Sequence, residues 1–340
     1  MTSDDGKTND AISTVEKAFE VFELETARID PDVYADAVET HPIITEALST
    51  LPGFIKARLA GSFGRKTHAL LLKDIDLVIY LNDADGSYFA SPSDTLLLVA
   101  DTLKGCSLVI HAEPKVRAVE GLLDKPYRVD AVPAIAANGA TLLTDHRPDD
   151  GVEEWSPAHP QGQVDAAIEK NQSCGGNYLP QVRIVRAWNG QFGPNNKVLS
   201  SYHAESGVFW ALDGPCGHAE ATVRSLDYLY EALAPGHHVA DPGNPIANVD
   251  DRLEDSERLA ARGRVGEALD AARTAFEISD DLEAMDAWVK VFGPSFPAPS
   301  TDPARVVEGL ASGATFAVGT GASITQQGEP FIRPRSWRSR

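Results

Sequence analysis

One short segment constrains the fold of this chain more than any other. A Gly-Ser pair at positions 61 and 62 is followed, twelve residues after the serine, by Asp74-Ile75-Asp76 at the head of an apolar run that continues to Leu81. Such a run predicts a buried β-strand. Because side chains of a strand alternate between its two faces, both aspartates are expected on one face and Ile75 on the other.

Two carboxylates in this arrangement suit phosphoryl transfer from a nucleoside triphosphate. That chemistry needs donors for the phosphates and carboxylates that hold two Mg²⁺ ions. Gly61 allows the backbone to approach phosphate oxygens closely, and Ser62 adds a hydroxyl donor beside a predicted helix start. Oxygen ligands favour Mg²⁺, or Mn²⁺, over zinc. We therefore predict Asp74 and Asp76 as catalytic metal ligands and Gly61 and Ser62 as nucleotide-binding residues.

A third carboxylate is expected from a neighbouring strand. Asp130 lies in an alternating apolar run, Tyr127–Pro133. An aspartate in such a run is costly to bury unless a metal or a hydrogen-bond donor compensates. Asp130 is therefore the predicted third metal ligand and the group that takes the proton of the attacking hydroxyl.

Patterns around this segment divide the chain into two lobes. Apolar residues at helical spacing precede it at 11–28 and 31–51, and a further helix is predicted from Arg65 to Leu72. Strands are predicted at 55–59, 75–81, 107–110, 115–120 and 128–132. After about residue 165 the pattern is helical, at 164–172, 178–189, 201–212, 219–233, 250–262 and 265–292.

The predicted domains are a catalytic lobe with its N-terminal helices at 1–163, a helical lobe at 164–297 and a tail at 298–340. The tail is rich in Pro, Ser and Gly and ends with several arginines. It is predicted to be poorly ordered and is a candidate docking segment for a regulatory protein.

The composition of the chain limits the classes of partner that it can bind. The formal net charge is −20, whereas proteins that bind long nucleic acids neutralise phosphates with Lys and Arg. No long nucleic acid is therefore expected as a partner. The chain has no apolar run of membrane-spanning length and its first residues do not form a signal-peptide pattern, so we expect no membrane association and a cytoplasmic location. The three cysteines lack zinc-site spacing.

The motif and several later segments resemble the DNA polymerase β-like nucleotidyltransferases, and within them the cGAS/DncV-like enzymes (CD-NTases) and the related 2′-5′ oligoadenylate synthases. Besides the Gly-Ser and Asp-Ile-Asp pair, the resemblance rests on the third-aspartate strand Val129–Pro133, the R-x-W-N helix Ile184–Asn189, the SYHxE helix start Leu199–Glu205, the DP…N segment Val239–Pro242 with Asn248, and the W-x-x-x-F-G segment Ala287–Gly293. These landmarks follow the family order over residues 50–297.

The resemblance implies an α+β fold: a bilobal polymerase β-like nucleotidyltransferase with an α/β catalytic lobe and a mostly helical second lobe, similar to the C-terminal domain of the oligoadenylate synthases. It implies that Ser201 contacts the donor triphosphate, that Tyr202 stacks on a base, and that Arg183 or Arg186 steadies phosphates. Tyr202 as a core aromatic and Arg186 as a solvated helix residue are the alternatives.

Three further positions have simpler interpretations. Asp241 is expected to be a turn or helix-cap residue. His68 is expected to be a solvated loop histidine. His237 and His238 are expected to lie in a loop without a third metal ligand nearby.

Four functions are compatible with these features. The favoured one is synthesis of a cyclic or short linear oligonucleotide second messenger from nucleoside triphosphates, which in bacteria would serve anti-phage (CBASS-type) signalling. The others are template-independent RNA extension of the CCA-adding or poly(A) polymerase kind, nucleotidylation of a protein or small molecule, and nucleotide binding without turnover. RNA extension ranks lower because no Lys/Arg-dense stripe appears in either lobe. Non-catalytic binding ranks lower because all three aspartates are present.

Overall fold

The computed structural model describes residues 12, 14–68, 72–137, 140–193, 197–297, 316–318 and 322–324. The chain forms two compact units. Residues 28–173 together with 240–249 form one, called here the sheet unit. The chain up to Ala27, residues 174–239 and the chain from Asp250 onward form the other, called here the helical unit.

The sheet unit is built on one seven-stranded sheet. In chain order its strands are β1 Phe54–Leu59, β2 Asp74–Leu81, β3 Val109–Pro114, β4 Val119–Leu123, β5 Arg128–Ala137, β6 Ala140–Arg147 and β7 Val152–Ala158. The spatial order is β1-β2-β5-β4-β3, with β6 pairing with β5 and β7 pairing with β6. β2 and β5 run parallel, and the other neighbouring pairs are antiparallel.

The helices, in chain order, are α1 Val15–Phe22, α2 Pro31–Leu48, α3 Gly61–Arg65, α4 Ser87–Ala90, α5 Pro92–Lys104, α6 Pro160–Ser173, α7 Tyr178–Gly190, α8 Ser201–Ala211, α9 His218–Ala232, α10 Asp255–Glu277 and α11 Asp281–Phe292. A π-helical turn, Glu23–Ala27, follows α1. Two short hairpins complete the described elements: β8 Ala240–Asp241 with β9 Asn244–Asn248, and β10 Phe316–Val318 with β11 Ala322–Ile324.

The main core of the sheet unit lies on one face of the sheet. Ile75, Leu77 and Ile79 of β2 are buried there, and α2 and α5 pack against the same cluster. The opposite face carries a smaller buried cluster of Ala60, Val78 and Ala134. The alternation of β2 therefore follows the pattern predicted from its sequence, and it leaves Asp74 and Asp76 on the face with the smaller cluster.

Several predicted elements of the sheet unit are confirmed and others are wrong. The strands predicted at 55–59, 75–81 and 128–132 match β1, β2 and the first half of β5. Those predicted at 107–110 and 115–120 begin before β3 and β4. The helix expected from Arg65 onward instead begins at Gly61 and ends at Arg65, because Lys66 takes a left-handed conformation with φ of 61°. Helix α5 and strands β6 and β7 were not predicted.

The helical unit places the N-terminal segment in its core. Phe19 and Phe22 are buried, and the ring of Phe19 lies 5.0 Å from the rings of both Trp288 and Phe296. At the other end of α1, the Glu16 carboxylate accepts a hydrogen bond from the His218 amide at 2.7 Å, at the start of α9. The division predicted at residue 163 put this segment in the catalytic lobe, whereas the structure packs it with the helical unit.

The later helical pattern is also divided differently. The single helix predicted at 265–292 is two helices, α10 and α11, because Asp280 accepts a hydrogen bond from the Glu283 amide and caps a new helix start. Helix α6 belongs to the sheet unit. The predicted tail at 298–340 lies outside the described residues apart from β10 and β11. Among the described helices, none combines the length and apolar character that a bilayer span requires.

The packing of α1 yields a stability prediction. Phe19→Ala should lower the free energy of unfolding by about 3–5 kcal/mol, since it empties a fully buried aromatic site. Leu24→Ala in the same segment is the matched control, because Leu24 is 52% exposed and its truncation should cost under about 1 kcal/mol. Denaturant unfolding of both variants measures the difference. Equal losses would show that α1 does not form part of the core.

Candidate active site

The pairing of β2 with β5 sets the positions of the three predicted aspartates. In the parallel register Asp76 lies opposite Asp130, and Asp74 lies two pairs earlier, opposite Arg128. Paired residues on neighbouring strands share a face, as do residues two apart on one strand. Asp74, Asp76 and Asp130 therefore share one face of the sheet, and this part of the sequence prediction agrees with the geometry.

The Gly-Ser turn lies against the same carboxylates. The Ala60 amide donates to the Asp76 backbone carbonyl at 2.9 Å, which places the start of α3 beside the head of β2. Gly61 has φ of +55°, and a Cβ at this position would lie 1.7 Å from Oδ2 of Asp76. Only glycine fits here on both grounds. Ser62, next to it, is half-buried.

The electrostatics of the site show carboxylates that lack sufficient counter-charge. Burial raises the pKa of Asp76 to about 7, and the charges of Asp74 and Asp130 add to this rise. Burial likewise raises the pKa of Asp130 to about 6, with Asp74 as the next contributor. Arg65 and Arg128 oppose the rise at Asp76. Like charges held together in a partly desolvated site are typical of a place where a cation binds.

Arg128 is a site residue that the sequence analysis missed. Its Nη1 atom donates to Oε2 of Glu120 at 2.8 Å, and its guanidinium lies 3.7 Å from Asp74 and 3.8 Å from Asp130. Glu120 faces the same side because it pairs with Asp130 across β4 and β5. The signal available in the sequence was its spacing: Arg128 precedes Asp130 by two positions on a strand, which places both on one face.

The donor set fits a divalent cation. Three carboxylates from two adjacent strands supply oxygen atoms, and the glycine cradle leaves open backbone beside one of them. Among the described residues, the carboxylate oxygens of Asp74, Asp76 and Asp130 do not all lie within 4.8 Å of one another. Arg128, which contacts Asp74 and Asp130, supplies positive charge at this position.

The predicted residues of the second lobe lie in the helical unit, where each can be described on its own. Arg183 is 9% exposed and its Nε donates to Oε1 of Glu23 in the π-helical turn. Arg183 is thus bound to a buried carboxylate within the helical unit, and the phosphate contact implied for Arg183 or Arg186 stays a prediction. Arg186 is half-buried on the same helix, α7.

Ser201 and Tyr202 begin helix α8, as the SYHxE pattern predicted. Asn189, at the end of α7, forms two hydrogen bonds with Leu199: its Nδ2 donates to the carbonyl at 2.7 Å and its Oδ1 accepts from the amide at 2.9 Å. Ser200 caps α8 through the His203 amide. The two motifs therefore hold each other in place. Both Ser201 and Tyr202 are half-buried, and their contacts with a nucleotide stay predictions.

Two of the simpler interpretations are corrected and one is confirmed. His68 is 6% exposed and stacks on Tyr34 with ring centroids 5.4 Å apart, so it is not a solvated loop residue. His238 does have carboxylates beside it, Asp250 and Asp251. Asp241 is a turn residue, as expected, because its Oδ1 accepts from the Gly243 amide at 2.8 Å.

The arrangement has counterparts among solved structures. CdnC of E. coli in complex with HORMA-deltaN matches with a TM-score of 0.65 and 19% identity over 83% of this chain and 98% of that one. The Bradyrhizobium diazoefficiens CD-NTase CdnG in complex with GTP matches with a TM-score of 0.68 and 10% identity over 88% and 100% of the two chains. These likenesses confirm the predicted α+β, polymerase β-like fold.

Curated protein sequences show which proteins this chain is similar to. The chain is 30% identical over 161 residues to the "Probable cyclic AMP-AMP-GMP nucleotide synthase" of Salmonella paratyphi B, and 28% identical over 160 residues to the cyclic AMP-AMP-GMP synthase of Enterobacter hormaechei. The chain is therefore similar to cyclic AMP-AMP-GMP synthases in sequence and to CD-NTase structures in fold. The matched part is 45% of this chain and 42% of each relative, so the chain spans less than half the length of either. No family model matches.

The charge on Asp76 makes the stability of the chain depend on pH when no metal is bound. The pKa of Asp76 is about 7 in the folded chain against an ordinary 3.8. Stability is therefore fully present below the ordinary value and is lost as the pH rises through 7. Asp76→Asn should raise the Tm of EDTA-treated protein at pH 8 by on the order of 5 °C, with a smaller gain at pH 5. Saturating Mg²⁺ should raise the Tm of the wild type but not of this variant.

The matched control for that experiment is Asp101→Asn, because Asp101 is an exposed aspartate of α5. It should show neither the pH-dependent gain nor the loss of the Mg²⁺ response. A gain for Asp76→Asn that is the same at both pH values would contradict the assigned cause.

The pair of Arg183 and Glu23 gives a second prediction. Arg183→Met should cost about 3 kcal/mol of unfolding free energy, since it leaves a buried carboxylate without its partner. Glu23→Gln together with Arg183→Met should recover most of the loss. Arg186→Met on the same helix is the comparison and should cost less. If Arg183 instead serves phosphates, its loss would weaken nucleotide binding and leave the unfolding midpoint unchanged.

Proposed function

We propose that this chain is a CD-NTase that transfers nucleotidyl groups between nucleoside triphosphates and makes a cyclic or short linear oligonucleotide second messenger. The proposed setting is the bacterial cytoplasm, where the product would serve anti-phage signalling of the CBASS type. Because the chain matches less than half of its first curated relatives, their activity is an expectation for this chain.

The observation that carries the proposal is the shared face of Asp76 and Asp130, with the Gly61 backbone directly against Asp76. Two carboxylates from adjacent parallel strands could hold divalent cations, and these cations together with the glycine turn would hold a triphosphate and a hydroxyl at the same place. Homology to cyclic nucleotide synthases supports the choice of two nucleotides as substrates.

In the proposed step, the 2′- or 3′-hydroxyl oxygen of one nucleotide attacks the α-phosphorus of the other. The bond from that phosphorus to the pyrophosphate oxygen breaks, and pyrophosphate leaves. Asp130 takes the hydroxyl proton. It is the one of the three carboxylates that lies on β5, whereas Asp74 and Asp76 lie on β2. Repetition of the step on the linear intermediate would close a ring.

Asp74, Asp76 and Asp130 would hold the metal ions. Bound Mg²⁺ lowers the pKa of the attacking hydroxyl and neutralises charge on the leaving pyrophosphate. Gly61 and Ser62 would bind the donor triphosphate through the backbone and the hydroxyl. From the helical unit, Ser201, Tyr202 and one of Arg183 and Arg186 are proposed to contact the nucleotide.

The negative charge of the chain supports free nucleotides over RNA as substrates. A net charge of −20 opposes the binding of a polyanion, whose affinity depends on neutralised phosphates. Single nucleotides need only the few donors of one site. A poly(A) or tRNA primer should therefore not be extended.

The purified protein with all four nucleoside triphosphates and Mg²⁺ or Mn²⁺ should release pyrophosphate and form an oligonucleotide, which resists phosphatase if it is cyclic and loses its terminal phosphates if it is linear. Asp76→Asn should lower the rate at least about a thousandfold, the scale of losing a group that stabilises the transition state. Lys104→Gln, at an exposed position of α5, should leave the rate unchanged. Mass spectrometry identifies the product. Primer extension without free oligonucleotide would overturn the proposal.

A further inference from the structure

A cluster of three candidate metal ligands lies within the helical unit. One ring nitrogen of His238 and one carboxylate oxygen each of Asp250 and Asp251 all lie within 4.8 Å of one another. We call these three residues the His-Asp cluster. The histidine precedes residues 239–249, which include the β8–β9 hairpin, and the two aspartates follow them. The cluster therefore brings together the two ends of that segment.

Asp250 is the member of the cluster whose position is fixed most firmly. Its side chain is 0% exposed. Its Oδ1 accepts a hydrogen bond from the Val239 amide at 3.1 Å, and its Oδ2 accepts one from Nη2 of Arg258 at 2.8 Å. Arg258 also donates to the carbonyl of His237 at 3.0 Å. One guanidinium therefore holds both the Asp250 carboxylate and the backbone next to His238.

The spacing of two ligand atoms fits a tetrahedral ion. Nδ1 of His238 lies 3.5 Å from Oδ1 of Asp250. Ligand atoms bound at about 2.0–2.1 Å to a tetrahedral zinc ion lie about 3.3–3.4 Å apart. Because Arg258 binds the other oxygen, Asp250 can bind an ion through Oδ1 and keep its hydrogen bond through Oδ2. A ligand that is itself held by a hydrogen bond is typical of metal sites in proteins.

A buried imidazole lies near this ion pair with a ring nitrogen that lacks a hydrogen bond. His203 is 2% exposed, and among the residues that the structure describes its Nε2 has no hydrogen-bond partner. Burial lowers the pKa of His203 to about 4, while the charge of Asp250 opposes this shift and that of Arg258 adds to it. These two influences place the imidazole beside the pair. A buried polar atom without a partner is costly, and a bound ion or water is a common explanation.

We propose that the His-Asp cluster binds a zinc ion through one imidazole nitrogen and two carboxylate oxygens. A water molecule completes the tetrahedron, and Nε2 of His203 contacts this water. An imidazole together with carboxylates suits Zn²⁺, whereas the oxygen-only set of the sheet unit suits Mg²⁺. The inference does not depend on the proposed function, since none of these residues is assigned to nucleotide chemistry.

Zinc at this position links the two ends of residues 239–249 and stabilises the helical unit. An ion that binds the folded chain and not the unfolded chain raises the free energy of unfolding. Three protein ligands form a weaker site than the four of closed structural zinc sites. The occupancy of the site, and with it the stability of the helical unit, therefore follows the zinc concentration.

An ion pair without a metal is the alternative for these residues. A protonated His238 can pair with Asp250 at the observed distance of 3.5 Å. That role predicts that His238→Gln lowers the Tm of EDTA-treated protein at low pH and leaves zinc binding unchanged.

The test is calorimetric titration of the metal-free full chain with zinc chloride in the presence of excess Mg²⁺. Wild type should show a zinc-binding event of one ion per chain. His238→Gln should weaken this event at least about tenfold, because even the loss of an outer-shell partner costs about ten- to a hundredfold in metal affinity. His237→Gln is the matched control. It removes the neighbouring exposed histidine, whose Nδ1 lies 3.0 Å from the Glu231 carbonyl, and should keep the original affinity.

A second pair of variants tests the carboxylates. Asp251→Asn should weaken zinc binding, whereas Asp255→Asn, at another exposed aspartate at the start of α10, should not. Asp250 is left unchanged, since its loss would also remove the partner of Arg258.

Thermal unfolding gives an independent readout. Zinc at a hundredfold excess over its Kd should raise the Tm of wild type by on the order of 5 °C. It should not raise the Tm of His238→Gln.

Three results would overturn the proposal. The first is unchanged zinc binding in both His238→Gln and Asp251→Asn. The second is equal weakening by His237→Gln, which would place zinc on two adjacent histidines. The third is loss of the event in Asp76→Asn, which would place zinc on the aspartates of the sheet unit. The unfolding midpoints of the His238 and Asp251 variants in EDTA at pH 8, expected to be unchanged at these exposed positions, exclude misfolding as the cause.

Discussion

The parallel pairing of β2 with β5 is the constraint on which the site depends. Ile75 and Val129 are buried in the core on one face, and this fixes which residues face the other way. A slip of one position would turn every side chain of a strand to the opposite face. The burial of apolar residues thus holds Asp76 opposite Asp130, and the hydrophobic core determines the geometry of the candidate metal-binding carboxylates.

This arrangement holds like charges together at a cost in stability. Burial and mutual repulsion raise the pKa of both Asp76 and Asp130, which means that the folded chain opposes their ionisation. Arg128 offsets part of the repulsion and is itself held by Glu120. Sites that bind a cation or a charged transition state are commonly unfavourable when empty, and this one follows that rule.

The part of the candidate site formed by the Gly-Ser turn and the three aspartates could be predicted from the sequence because its signals are local. A glycine before a serine, two aspartates at period two and a third within an apolar strand each report their own environment. Arg128 was missed because its role depends on the register between strands, and register is a long-range property. The positions of Lys56 opposite Tyr80 and of Arg58 opposite Val78 likewise depend on the register between β1 and β2.

The fold was predicted less well where elements lack strong periodicity or depend on distant partners. Helix α5 and strands β6 and β7 lie in two stretches of the chain, 92–104 and 140–158, for which no element was predicted. The N-terminal helix joins the helical unit because Phe19 meets Trp288 and Phe296, which lie far away in sequence. The ion pair of Arg183 could not be predicted from the sequence, since its partner Glu23 lies 160 positions earlier in the chain.

The most direct test of the account is to locate the metal. Crystals grown with Mn²⁺ and an α,β-methylene nucleoside triphosphate would show manganese by anomalous scattering. The account predicts manganese bound by Asp74, Asp76 and Asp130, with the triphosphate against Gly61 and Ser62. Manganese at His238, Asp250 and Asp251 instead, with none at the three aspartates, would contradict it.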